Sequence, residues 1–287
     1  FLIISTKVKK YNLLTPKFMK YISSFIIMLA AFFLFQCATV PITGRRQLNL
    51  VSNAEIIPMS FDQYSQVLKD SKLSTDKQQT AMIKNVGSRI QKAVEQYMAE
   101  NNMADQLEGF AWDFNLIEED VQNAWCMPGG KVAFYTGIMS TCKDETGVAV
   151  VMGHEVAHAI ANHGRERMSQ GLLTQGFLGG VSAAMGENPT GTQELLMQSI
   201  GAGTQIGMLN FSRQHESEAD KLGLIFMSIA GYDPREAPKF WERMSAGGGE
   251  QPPEFMSTHP SHETRISDLN TQIPNALKYY EANKSKY

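Results

Sequence analysis

The sequence predicts a mainly helical α+β domain with a small β-sheet, and three observations carry that reading. Apolar residues recur at three and four from Thr80 to Met98 (Met82, Val86, Ile90, Val94, Tyr97), the period of a long amphipathic helix. Phe110, Trp112, Phe114 and Leu116 alternate with other residues, and Lys131 to Tyr135 forms a second short run after the break Pro128-Gly129-Gly130, so both read as strands. Residues 145–163 form a helix with hardly a charge on it, which belongs inside a core. Hydrophobic residues make up 43% of the 287 and charged residues 19%, a balance that supports a buried core and excludes a disordered chain.

Taken in chain order, residues 1–18 read as a segment upstream of a start at Met19 and stay outside the fold. Residues 19–36 read as an export signal, with Met19-Lys20 before an apolar run from Tyr21 to Phe35 that is short for a membrane span of about 20 residues. Cys37 follows directly, as in the lipobox of bacterial lipoproteins, a resemblance that implies a lipid on Cys37 and a membrane tether. Residues 37–74 are then a lipidated leader, of which 38–60 is punctuated by Pro, Gly and Asn and reads as extended. The folded domain is expected over 75–272. Within it a Gly-rich stretch, roughly 171–207, has no clear period, and a helix runs from about 212 to 230 before Gly231 and Pro234. A loop spans Ala246 to Pro253, a last helix begins near Ser261, and 273–287 reads as a tail. Cys126 and Cys142 are either bonded or a free buried pair.

Charge excludes one class of partner. Five of the 26 Lys and Arg lie in the first 36 residues, which hold no acid, so all 29 Asp and Glu fall in the remainder. That remainder has no basic stripe to displace counterions, which argues against nucleic acid.

The chemistry is concentrated in the histidines, all six of which lie after residue 153. His154 and His158 are four apart in the apolar helix, so both imidazoles leave one face and can share a metal ion. Glu155, one position on, is angled toward a water on such an ion, the general-base position of an HExxH motif. Three polar residues unpaired in that setting would cost several kcal/mol, about 2–7 for each group. Ala161 and Gly164 stand where a metzincin has Gly and His, and 177–184 lacks the acid of a thermolysin-like pattern. The remaining source of a third ligand is Ser212 to Asp220. Glu216 and Asp220 are four apart on one face, so one can ligate while the other accepts a hydrogen bond from a ligating His; spacing alone leaves open which. Glu218 points away from that pair, and His215 reads as a packing His rather than a ligand.

These residues resemble the M-48 metallopeptidases, a family of gluzincins with lipoprotein members. The matching stretches are Asn123-Ala124, Pro128 to Lys131, Tyr135 to Gly137, Gly153 to His158, Arg213 to Asp220, and Thr258-His259-Pro260 with Arg265-Ile266, in the family's order and over about 85 to 270. The resemblance implies a zincin-like domain with one Zn²⁺ per chain, Glu216 as third ligand and Asp220 orienting a His. It also places His259 near the metal, either stabilising an oxyanion or serving as a removable fourth ligand. Lys131, Val132, Ala133, Phe134 and Tyr135 resemble the strand that pairs with an extended substrate. The layout is closest to compact members without a membrane hairpin or a helical-repeat domain.

The function expected from this is a zinc-dependent endopeptidase with Glu155 and His259 as catalytic groups, degrading unfolded or damaged polypeptides. Its expected place is the bacterial cell envelope, lipid-anchored on the periplasmic side of the outer membrane. The alternative is a zinc-stabilised chaperone or assembly factor with little proteolysis.

Overall fold

The computed structural model describes residues 37–40, 43–172, 211–246, 255, 259 and 264–287. The segment read as an export signal, the Gly-rich stretch after 172 and most of the loop after Ala246 lie outside them.

The leader begins as a two-stranded antiparallel hairpin, β1 (Cys37–Thr39) and β2 (Arg46–Leu48), with Cys37 opposite Leu48. It does not stay extended. Helix α1 (Asn53–Asp70) starts at Ser52, whose N–H and hydroxyl both donate to the Glu55 carboxylate, at 2.9 and 2.6 Å, the Glu half of a capping box. Ile56, Ile57, Tyr64 and Val67 recur at helical spacing and are buried, and Tyr64 Oη donates to the Val132 carbonyl at 2.9 Å. α1 therefore packs on the sheet as part of the folded unit, which corrects the extended reading of 38–60 and moves the working boundary of the domain ahead of 75.

α2 (Lys77–Glu100) is the expected amphipathic helix, capped by Asp76, which accepts from the N–H groups of Gln78 and Gln79. Its apolar stripe at Ile83, Val86, Ile90 and Val94 is fully buried. At about 1.5–3 kcal/mol for each large apolar side chain removed from water, that stripe anchors the helix.

The sheet has three strands: β3 (Asp113–Ile117), β4 (Ala124–Met127) and β5 (Lys131–Tyr135). Their spatial order is β3-β5-β4, with β5 parallel to β3 and antiparallel to β4. β3 starts at Asp113 rather than Phe110, and β4 is too short and irregular in its alternation to announce itself in the sequence.

A short α3 (Met139–Cys142) leads to α4 (Glu145–Ile160), capped by Asp144 and buried at every position from Gly147 to Ile160. A helical segment follows over 163–172, and then, after the residues not described, come α5 (Arg213–Ile229), α6 (Glu236–Ala246) and α7 (Arg265–Asn283). α7 runs through most of the segment read as a tail, and Ala276 and Asn283 within it are buried. α4 and α5 cross with their backbones in contact. A Cβ on Gly153 would stand 2.9 Å from the Gly223 carbonyl oxygen, and one on Gly223 would stand 2.9 Å from the His154 nitrogen. Only glycines permit that approach, which draws the ends of α4 and α5 that carry polar side chains together. Cys126 and Cys142 are free thiols. Among the described residues no helix is long and apolar enough to cross a membrane.

Candidate metal centre

α4 presents His154, Glu155 and His158 into the crossing, and α5 presents Glu216 from its first turn. All four are at most 3% exposed. His154 Nε2 and His158 Nε2 stand 3.1 Å apart, and Glu216 lies 3.4 Å from each. His259 joins them with Nδ1 at 3.2 Å from His154 and 3.1 Å from Glu216, so one atom from each of the four residues falls within 4.8 Å of the others.

The donor set fits a divalent ion of borderline softness. Three imidazole nitrogens and a carboxylate aim at one point, the ligand chemistry that Zn²⁺ takes in tetrahedral sites. A second observation agrees. Glu155 Oε1, 3.4 Å from His259 Nε2, is buried with no hydrogen-bond partner, an unused acceptor beside the same cluster. Buried carboxylate oxygens are seldom left in that state unless something else is to meet them there.

Around this set lie the groups that hold it. His154 Nδ1 meets Asp220 at 3.0 Å, and Arg265 from α7 meets Asp220 at 2.7 Å and Glu216 at 3.0 Å. Arg265 is fully buried, with its guanidinium 3.3 Å from the Trp241 ring centroid. His158 Nδ1 instead meets His163 Nδ1 at 2.9 Å, and His163 Nε2 meets Glu218 at 3.1 Å.

The electrostatics follow from burial set against these partners. Burial opposes charge on His154, but Asp220 and Glu216 outweigh it and hold the imidazole above its usual pKa. His158 has less acidic company, and burial drives it well below. Burial raises Glu155 to about 7. For Glu216 burial is outweighed by His259 and then by the other imidazoles, and for Asp220 it is outweighed by Arg265, so both carboxylates stay below the usual range.

The sequence profile of Peptidase family M48 matches residues 85–273, which spans every group just described from α4 to Arg265. The chain belongs to peptidase family M48. It is 34% identical over 244 residues to the mitochondrial metalloendopeptidase OMA1 of Schizosaccharomyces pombe, covering 83% of this chain and 66% of that protein. It is 29% identical over 271 residues to the mitochondrial metalloendopeptidase OMA1 of Homo sapiens, covering 91% of this chain and 50% of that one. The beta-barrel assembly-enhancing protease of Escherichia coli matches at 33% over 166 residues, 55% of this chain and 34% of that protein. The chain thus spans between about a third and two thirds of the length of these curated relatives. An M48 domain whose relatives are metalloendopeptidases is the domain of a metalloprotease.

Two expectations are corrected here. The relatives that match most of this chain are named as mitochondrial, which overturns a place in the bacterial cell envelope. The strand Lys131, Val132, Ala133, Phe134 and Tyr135 has no free edge, because β5 is hydrogen-bonded to β3 on one side and β4 on the other. Among the described residues the edge strand on the side of α4 is β4, which packs against that helix.

Of the residues singled out in the sequence, the structure gathers His154, Glu155, His158, Glu216, Asp220 and His259. His215 is not among the clustered donors; it is hydrogen-bonded to Glu166 at 3.1 Å and stacks on the His163 ring at 4.5 Å. Arg265, His163 and Glu218 were not assigned roles. Arg265 stood inside a matched stretch, and His163, a polar residue just past a buried helix, carried the signal of any buried His that needs a partner.

Proposed function

We propose that the chain is a zinc-dependent endopeptidase that cleaves unfolded or damaged polypeptides, with one zinc held by His154, His158 and Glu216. The observation that carries this is the meeting of two imidazoles and a carboxylate beside the unpartnered Glu155 Oε1. When bound, zinc would supply a Lewis acid that polarises the scissile carbonyl and makes water acidic enough to attack near neutral pH. The rest is done by this chain's side chains. Glu155 takes the water's proton and later delivers it to the leaving amine. Asp220 and His163 each fix the Nδ1 of one ligand imidazole, so that Nε2 presents its lone pair. Among the described residues β4 is an edge of the sheet and packs against α4, and an extended substrate adding there gains backbone hydrogen bonds beside the active-site helix.

His259 fits the reading of a removable fourth ligand. A catalytic zinc keeps an open position, whereas four protein donors close it, and His259 Nδ1 stands among the other donors. That closed set is also the observation that favours the second reading, a zinc-stabilised chaperone with little proteolysis. Cleavage of unfolded casein by the wild type and by His259→Ala, with and without chelator, separates them. Chelator-sensitive cleavage that rises in His259→Ala supports the latent protease; no cleavage by either protein supports the chaperone.

A further inference from the structure

We propose that Arg45, on the turn between β1 and β2, is a positioning residue for the metal centre, acting on His158 through Glu218 and His163. The inference rests on His158 being a ligand, as argued above.

The contacts form an unbroken line. Arg45 Nε donates to both oxygens of Glu218 at 2.9 Å, and its two terminal nitrogens donate to the two oxygens of Glu166 at 2.8 and 2.7 Å. Thr43 Oγ1, two residues away, donates to Glu218 at 2.7 Å. Glu218 Oε2 faces His163 Nε2 at 3.1 Å, and His163 Nδ1 faces His158 Nδ1 at 2.9 Å. His163 is fully buried, and Glu218 and Glu166 are each 6% exposed, so the inner part of this line is shielded from water.

Proton placement gives the line a direction. For His158 Nε2 to offer a lone pair, its ring proton must sit on Nδ1, and there it can only be donated to His163 Nδ1. His163 must then carry its own proton on Nε2, where Glu218 accepts it. A carboxylate accepts reliably only if it stays ionised and still, and Arg45 with Thr43 supplies both conditions. Arg45 makes a fork on one acid and a single-nitrogen contact on the other, a geometry a lysine cannot reproduce. The segment between the N-terminal apolar run and the domain thereby fixes the tautomer and angle of one ligand. Arg45 lies outside the stretch that matches the family profile.

The test uses the full chain as wild type, Arg45→Met and Arg45→Lys. Zinc affinity is measured by competition with a chromophoric chelator, and the cobalt-loaded protein gives a ligand-field spectrum. Arg45→Met is expected to bind zinc about 10-fold more weakly than wild type, with an altered cobalt spectrum and a lower kcat at unchanged KM. Arg45→Lys is expected to fall between the two. A variant with lowered Tm but wild-type zinc affinity and spectrum would overturn the proposal, since Arg45 would then only hold the hairpin down. If Arg45→Met does not fold, Arg45→Lys decides alone, weaker zinc supporting and equal zinc refuting. Failure of the wild type itself to bind zinc would instead refute the ligand reading on which the inference stands.

Discussion

The two imidazoles of α4 reach the same point but are held in different ways. His154 is anchored directly: Asp220 touches its Nδ1, and Arg265 holds Asp220 from α7. His158 is anchored through a second imidazole, then Glu218, then Arg45 in the N-terminal hairpin. Each line ends in a carboxylate clamped by an arginine, yet one is closed within α4, α5 and α7 while the other depends on a segment more than a hundred residues upstream. The difference teaches where the centre is rigid and where it can be adjusted. Arg265 is fully buried, whereas the Arg45 side chain is 16% exposed on a short turn.

The sharpest way to break the comparison is at Arg265. Arg265→Met would leave Glu216 and Asp220 buried without their cation, at a cost of about 3–5 kcal/mol. Thermal unfolding of the metal-free protein should show this, and added zinc should restore part of it by neutralising Glu216. Equal melting of variant and wild type would show that the direct anchor carries little.

Next in size is Asp220→Asn, which keeps an acceptor for His154 but removes the charge. Chelator competition should find zinc affinity reduced by about 100-fold, the upper end of the range for groups that orient a ligand. That exceeds the loss expected at Arg45, and the reverse order would mean that the relayed line is the stronger one.

The smallest effect is on acid tolerance. Arg45 and His215 outweigh burial and hold Glu166 at about 2, below its ordinary 4.5. A carboxylate with a depressed pKa contributes stability that is fully present above the unfolded value of about 4.5 and lost as pH falls through about 2. In wild type the unfolded state therefore binds the extra proton across that window, and stability falls on acidification. In Arg45→Met the Glu166 pKa moves back up and this part of the slope shrinks, read from Tm against pH between about 4.5 and 2. An unchanged slope would place the acid sensitivity elsewhere.

How much could be read from the sequence divides along the same line as the two anchors. His154, Glu155 and His158 sit within one turn of helix, and Glu216 and Asp220 within another, so helical periodicity alone put each pair on one face. The main helices were legible from their apolar stripes for the same reason. α1 was hidden by Pro58 inside it and by the turn-forming residues before it, although Ser52 and Glu55 carried a capping signature. β4 was hidden because four residues, Ala124 to Met127, are too few for alternation to show. The partnership of Arg45, Glu218 and His163 joins residues 45, 218 and 163, and no local pattern in a single sequence encodes a contact of that range. The same holds for the choice of edge strand. Lys131 to Tyr135 has the stronger strand pattern because it is central and buried on both faces, which is the reason it has no edge to offer.

The central claim is that a metal held by His154, His158 and Glu216 works with Glu155 as its base. Metal analysis and casein hydrolysis on Glu155→Gln test it together: the account predicts one zinc per chain, as in wild type, with hydrolysis lost. Hydrolysis at the wild-type rate in that variant, or a wild type that folds and cleaves without any bound metal, would contradict it.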